Sequence, residues 1–426
     1  MRNAMQGAVG MSEVVGIVLV PLLAVLAPLI ARLVDRWLVL PVIVLEIVLG
    51  IVIGPSGLGW VQSSAFVSSL ADIGLAMLFF VAGTEIDFRG IAGRPLRRSI
   101  IAWLISFGLA LGIGLLQFSG WEAAIVIAVA LSSTALGAVL PILRDAGLLG
   151  TPFGTAVSAV GAVGEFGPLI AISLFLGSRD LGTSSLVLFT FVAVAVLLIW
   201  LSTRLQHRGV HRLVSATLHT TGQFAIRLIL LILAGLVALS LVLDLDILLG
   251  AFCAGVLWRI IIARAPAKDR ELVSSKIDGL AFGFLIPIFF INTGIGFDLG
   301  ALVAEPWLFV LAVVLFAALF VVRGLPAQLA APRGASGVDR LRLALYAATG
   351  LPLIVAVTAI GQDEGLLSAG VASALVAAGM LSVLVFPLLA AIGRPRAVHA
   401  AELEESVIVV DDGGERDREA TEGPGG

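Results

Sequence analysis

Charge is scarce in this sequence: Asp, Glu, Lys and Arg make up 13% of its 426 residues, while 59% are hydrophobic and the mean hydropathy is +1.12. Soluble proteins carry about 25% charged residues, so this chain has too little charged surface to stay in water. A soluble enzyme, a disordered protein and a nucleic-acid binder are excluded. Cysteine is nearly absent as well. The single Cys253 lies in an apolar run, allows no intrachain disulfide and gives no sign of an oxidising compartment. The four histidines, His207, His211, His219 and His399, all fall in stretches expected to be cytoplasmic, so no intramembrane histidine relay or metal centre is expected. Walker A, His-Glu-x-x-His and dinucleotide-binding sequences are missing too. ATP-driven transport and intramembrane metalloproteolysis find no support, and no cofactor is expected.

What the chain does have is membrane-length apolar sequence. A hydrocarbon core of about 30 Å needs roughly 20 apolar residues per helix. Such runs occur at 14–33, 38–54, 65–84, 99–118, 122–143, 153–176, 184–203, 223–243, 247–263, 279–296, 306–330, 341–361 and 367–391. The expected fold is all-α: a polytopic membrane protein of about 13 transmembrane helices. Residues 1–396 form its transmembrane domain, and 397–426, with nine acids against two bases, an acidic, disordered cytoplasmic tail. The first run is too long for a cleaved signal peptide and lacks a basic leader.

Orientation follows from the basic residues. The alternating connections hold 20 Lys and Arg on one side and two, Arg2 and Arg179, on the other. The expectation is a multi-pass protein of the cell inner (cytoplasmic) membrane, N-terminus outside and C-terminus in the cytoplasm. The seven tryptophans, Trp37, Trp60, Trp103, Trp121, Trp200, Trp258 and Trp307, fall at or near predicted helix ends. Amphipathic rings favour that interface and need no binding role there.

A charge near the bilayer centre costs at least about 2.5–3.5 kcal/mol on insertion scales, so each one needs a reason. Glu46, Glu165 and Arg323 lie well inside predicted helices. Glu165 shares a helix face with Gly154, Ser158 and Gly161, and small residues at that spacing let another helix approach closely. Its carboxylate therefore points into an interface or cavity, as a proton- or cation-binding group or as a structural glutamate, neutral or paired with arginine. Arg323 either snorkels to the cytoplasmic end of its helix or neutralises a buried carboxylate beside a transport site. Glu46 is open between a structural hydrogen bond and a pathway role.

Two helices look interrupted. One reads Leu-Ser-Ser-Thr-Ala-Leu-Gly-Ala-Val-Leu-Pro over 131–141, with Ser132, Ser133 and Thr134 in mid-membrane; the other reads Tyr-Ala-Ala-Thr-Gly-Leu-Pro over 346–352. Proline removes a helical hydrogen bond, and Ser and Thr compete for backbone groups. The breaks fall in runs five and twelve, an offset of seven. Paired breaks in two halves point to a transporter built from inverted repeats, with two discontinuous crossing helices and the ion site where they cross.

At these residues the chain resembles the monovalent cation:proton antiporters, specifically the second large bacterial family of sodium/proton and potassium/proton exchangers. The matching stretches are Leu40-Pro41 through Gly54-Pro55, Ile73-Gly74-Leu75 through Ala82-Gly83-Thr84-Glu85, Ser132-Ser133-Thr134, Leu249-Gly250-Ala251-Phe252 with Ala254-Gly255, and Pro287-Ile288-Phe289-Phe290 with Gly294. Their order covers about residues 14–392. The resemblance implies a core domain that moves against a dimerisation domain, hence a homodimer in the lipid bilayer, with Na⁺ or K⁺ and H⁺ as substrates.

It also implies that the sixth run carries the ion-binding carboxylate, usually Asp preceded by Asp, Asn or Gln. Here those positions look like Gly164 and Glu165, a departure at both. The family's basic residue of the eleventh run, often Lys, looks like Arg323. The expected site is thus Glu165 holding a proton or a monovalent cation with Ser132, Ser133 and Thr134. Arg323 compensates charge, and Glu46, Thr349 and Asn292 give polar support. Exchange through one carboxylate is expected to be electroneutral. Two alternatives stand beside this reading: a carrier for a small organic anion, bound by helix ends and Arg323, and a non-transporting membrane sensor or regulatory subunit. The large cytoplasmic nucleotide-binding domains that some potassium-linked members carry after the last helix are not expected here.

Overall fold

Each apolar run carries helix in the computed structural model, which describes residues 2–34, 41–117, 120–176, 181–205, 223–263 and 265–392. No strand occurs among the described residues, and the acidic tail 397–426 lies outside them. The first half contains α1 (Arg2–Val34), α2 (Val42–Ile53), α3 (Ala65–Glu85), α4 (Arg94–Gln117), α5 (Trp121–Ser132), α6 (Leu136–Asp145) and α7 (Pro152–Phe175), followed by α8 (Leu181–Leu205). The second half contains α9 (Phe224–Val242), α10 (Ile247–Ile262) and α11 (Ala267–Leu280), which runs through a π turn at Ala281–Leu285 into α12 (Ile286–Ile295). Next come α13 (Trp307–Ala318), with a second π turn at Leu319–Gly324, α14 (Gly337–Ala348), α15 (Pro352–Asp363) and α16 (Ala369–Ala391).

The polar residues of the connections become helix caps. Ser64, Thr151, Asp246, Ser336 and Ser368 each accept a hydrogen bond from a first-turn backbone N–H. Near a membrane this satisfies donors that lipid cannot. Among the described residues ten helices are long and apolar enough to cross a membrane; Val42–Ile53, Gly182–Ala195 and Ile247–Ile262 are apolar but shorter. The expected count of thirteen is therefore not reached on length alone.

The helices sort into two groups by their contacts. The first three helices of each half pack together: α3 lies against α10 and α12, α2 against α12, and α9 against α10. The second group joins the last three spans of each half, with α4 on α5 and α7, α13 and α14 on α16, and α15 on α5. Sequence offset and packing thus describe the same internal repeat. In the first group paired glycines permit backbone contact. A Cβ on Gly83 would collide with the Phe252 carbonyl, and one on Gly255 with the Phe80 carbonyl, so α3 and α10 approach closely at both positions. This is the small-residue packing that replaces hydrophobic association inside a bilayer.

Trp103 departs from the interfacial role expected of it. Because α4 begins at Arg94, the ring lies two turns inside the helix, buried against Gly167 of α7 and stacked on Phe107 with centroids 5.3 Å apart. Trp258 is buried as well, whereas Trp60, Trp121 and Trp307 are exposed, as interfacial rings should be; Trp37 lies outside the described residues. Gly255→Leu is expected to lower the melting temperature in detergent through an overpacking cost of about 1–3 kcal/mol. Gly235→Leu, where a Cβ meets nothing within 4 Å, should leave the melting curve nearly unchanged.

Candidate ion-binding site

The helix breaks expected in runs five and twelve meet each other. Helix α5 stops at Ser132, the chain is extended through Ser133, and α6 starts at Leu136. Helix α14 stops at Ala348 and α15 starts at Pro352. The Ala135 N–H donates to the Thr349 carbonyl (2.7 Å), and the Thr134 N–H donates to the Gly164 carbonyl of α7 (3.0 Å). Ser382 of α16 serves the second break: its hydroxyl accepts from the Gly350 N–H at 3.0 Å and lies 2.9 Å from the Gly350 carbonyl. The freed backbone groups are thereby met inside protein, the condition for unwound chain at membrane depth.

Glu165 lies on α7 facing the first break and is 6% exposed. Its Oε1 accepts a hydrogen bond from the Leu136 N–H at 2.7 Å. That donor is the first residue of α6, where unpaired N–H groups and the helix dipole favour negative charge. The other oxygen, Oε2, is buried with no hydrogen-bond partner among the described residues.

Arg323 belongs to the second π turn and is fully buried, so it does not snorkel. A π turn inserts an extra residue into the helix and often marks a functional site. The Arg323 Nε donates to Thr134 Oγ1 (2.9 Å) and Nη2 donates to the Val160 carbonyl (2.7 Å), while Nη1 has no partner among the described residues. Thr134 Oγ1 in turn donates to the Ala347 carbonyl at 2.6 Å. Arg323 therefore ties the first break to α7 and makes no hydrogen bond to Glu165.

The same contacts explain glycine at 164. A Cβ there would sit 2.5 Å from Arg323 Nη2, 2.6 Å from Thr134 Oγ1 and 2.7 Å from Thr134 Cβ. Arg323 and Thr134 fill the space that a side chain at 164 would need.

The remaining expected residues divide. Ser132, Ser133, Thr134 and Thr349 are all buried at the crossing, and the hydroxyls of Ser132, Ser133 and Thr349 donate back into their own helices. That leaves their oxygen lone pairs to accept or to coordinate. Glu46 and Asn292 are not part of this cluster. Glu46 is buried in α2, whose main neighbours are α1 and α12. Asn292 accepts from the Ser63 hydroxyl (3.1 Å) and lines a recess of about 220 Å³ with Asp72 and Gln362.

A cavity of about 660 Å³ approaches the site from the opposite end of α3, lined by Thr84, Glu85, Asp87, Arg144, Arg259 and Asp278. Asp72 and Glu85 are separated by about 20 Å at 1.5 Å rise per residue, so the recess and the cavity open on opposite sides of the helical layer. The cavity reaches Leu136 and Gly137, the end of α6 that holds Glu165. It opens among the arginine-rich connections. Glu85 is not among the expected site residues, although its Oε2 is also buried without a partner among the described residues. The available signal was a carboxylate closing the Ala82-Gly83-Thr84-Glu85 stretch, but a charge at the end of an apolar run is ordinary.

Two crossed, broken helices beside a buried carboxylate are the arrangement on which secondary transporters build their ion sites. The sequence pattern of the family described as "Sodium/hydrogen exchanger, transmembrane" matches residues 21–391, and the chain belongs to that family. It is 27% identical over 397 residues to the putative Na⁺/H⁺ antiporter YjbQ of Bacillus subtilis, which covers 88% of this chain. The chain spans 62% of that relative's length. It is 26% identical over 381 residues to the Na⁺/H⁺-K⁺ antiporter GerN of Bacillus cereus, covering 82% of this chain and 88% of the relative. Among solved structures it resembles the sodium proton antiporter MjNhaP1 of Methanocaldococcus jannaschii. The TM-score is 0.59 at 16% identity, over 89% of this chain and 97% of that one. At that identity the likeness concerns the fold.

Restoring a polar residue at 164 should harm the protein. Gly164→Asn is expected to displace Arg323 from Val160 and lower the melting temperature, as overpacking by about 1–3 kcal/mol would. A variant as stable as the parent would show that the space beside Thr134 is not filled.

Proposed function

We propose that the protein exchanges Na⁺ or K⁺ for H⁺ across the cytoplasmic membrane, with Glu165 holding the proton and the cation in turn. The observation that carries this reading is the state of its carboxylate: Oε1 is fixed by the Leu136 N–H, and Oε2 is buried without a partner among the described residues. A buried polar atom left unpaired is costly, and a proton or a hard cation each relieves that cost. The hydroxyl oxygens of Ser132 and Ser133 and the carbonyls of the unwound chain offer the oxygen donors that hard cations prefer.

One carboxylate cannot hold both ions at full occupancy, so each displaces the other. Exchange through Glu165 alone is one for one and electroneutral. Arg323, always charged and held in place by Thr134 and Val160, supplies a fixed positive charge to the same buried region when neither ion is bound. The organic-anion alternative is less suited to this arrangement, because two donor groups of Arg323 are already engaged by the protein. The cavity among the arginine-rich connections faces the cytoplasm in this reading. The working unit is a homodimer in the bilayer, as the family resemblance implies.

Inside-out vesicles carrying a pH gradient test the site. Adding Na⁺ or K⁺ should collapse the gradient for the parent protein and leave it intact for Glu165→Gln. Unaltered exchange in the variant would remove Glu165 from the mechanism. Independently, the exchange rate should not change when the membrane potential is clamped with valinomycin and potassium during Na⁺-driven exchange; a potential-dependent rate would contradict one-for-one stoichiometry.

A further inference from the structure

We propose that Glu85 is a second ion-binding carboxylate, contributed by the other helix group, and that it completes the cation site only while the site faces the cytoplasm. This rests on Glu165 being the transport carboxylate. Both glutamates converge on the start of α6. Glu165 holds the Leu136 N–H, and Glu85 Oε2 lies 3.7 Å from where a Cβ would stand on the adjacent Gly137. Gly137 carries no side chain to separate them. Each carboxylate has its Oε2 buried with no hydrogen-bond partner among the described residues.

The other charges facing Glu85 are Arg144 from α6, Arg259 from α10 and Asp278 from α11, with Asp87 nearby on the cavity wall. Arg259 donates to the Thr84 carbonyl. These residues line the cavity, which reaches Leu136 and Gly137, and the Leu136 N–H is the group that Glu165 holds. A cation arriving from this side therefore meets Glu85 first and can then be held between two anionic oxygens, Oε2 of Glu85 and Oε2 of Glu165. With glycine at 164 the span that carries Glu165 offers no second side-chain ligand beside it; Glu85 offers one from across the group boundary.

The two carboxylates sit on different bodies. Glu85 closes α3, in the group that joins the first three spans of each half; Glu165 sits on α7, in the group that holds the crossing. Alternating access moves one such bundle against the other around the site. Opening the site to the far side carries α7 and the start of α6 past α3, so that Glu165 leaves Glu85 behind. Glu85 then contributes to cation affinity on one face of the membrane alone.

The test compares the two faces of the same variant. Glu85→Gln and Glu85→Asp are assayed with Na⁺ alone and K⁺ alone, in inside-out vesicles for the cytoplasmic face and right-side-out vesicles for the outer face. Glu85→Gln should raise the half-saturating cation concentration at the cytoplasmic face about ten- to a hundredfold, the range for losing one charged partner. The outer-face value should stay within about twofold, well under the 1.4 kcal/mol that a tenfold change represents. Glu85→Asp should recover part of the cytoplasmic affinity. An unchanged cytoplasmic value, or an equal loss on both faces, overturns the proposal. If Glu85→Gln does not assemble, the same two-face comparison in Glu85→Asp decides it. A normal Glu165→Gln protein defeats the underlying reading. An inactive Glu165→Gln protein beside an unaffected Glu85→Gln protein defeats only the role of Glu85.

Discussion

Backbone that leaves the helix at membrane depth must find its hydrogen bonds within protein, and this chain does so at two places at once. The links after Ser132 and after Ala348 lie against each other, joined by the Ala135 N–H and the Thr349 carbonyl. Much of the second helix group answers to that constraint. Helix α7 receives the Thr134 N–H at its Gly164 carbonyl, and α16 supplies Ser382 to Gly350. Neither break would be tolerated against lipid. Together they place helix ends, with their partial charges, in the interior of a nearly uncharged molecule.

Into that setting the fold brings one carboxylate and one guanidinium without pairing them. A direct Glu165–Arg323 bond would satisfy both groups and leave little reason for either to accept an ion. Instead Glu165 is held by a helix start and Arg323 by a hydroxyl and a carbonyl, so each retains one unmet valence. The residue before Glu165 has no room to contribute, since Arg323 and Thr134 occupy its space. A departure that looks like a lost ligand in the sequence is, in three dimensions, the seat of the arginine.

The sequence made the fold class and half of the candidate site legible for one physical reason. In a chain that avoids charge, a buried Glu or Arg and a mid-membrane Ser-Ser-Thr or Thr-Gly-Leu-Pro stand out, and Glu165, Arg323 and Thr134 were found that way. What remained hidden was neighbourhood. Glu85 closes α3 at a position where a charge is expected in any membrane helix, so nothing in its local pattern separates it from a solvated end. Glu46 and Asn292 show the converse: both are polar within apolar runs, yet they sit in the first group, away from the crossing. Helical periodicity says which face a residue takes, not which helix lies opposite. Trp103 was misplaced because α4 starts earlier than its hydropathy does.

The hydrogen bonds of Arg323 also have a mechanical meaning. Its side chain starts from the π turn below α13 and fastens the α5–α6 link and the body of α7. It acts as a rivet through three separate stretches of chain. Breaking it would leave a charge and its acceptors buried and unpaired, a loss of several kcal/mol. Any motion that turns Glu165 toward the opposite face must therefore carry Thr134, Val160 and Arg323 along with it. In the proposed exchange these residues travel as a rigid cartridge, and shape change is confined to the seams around it.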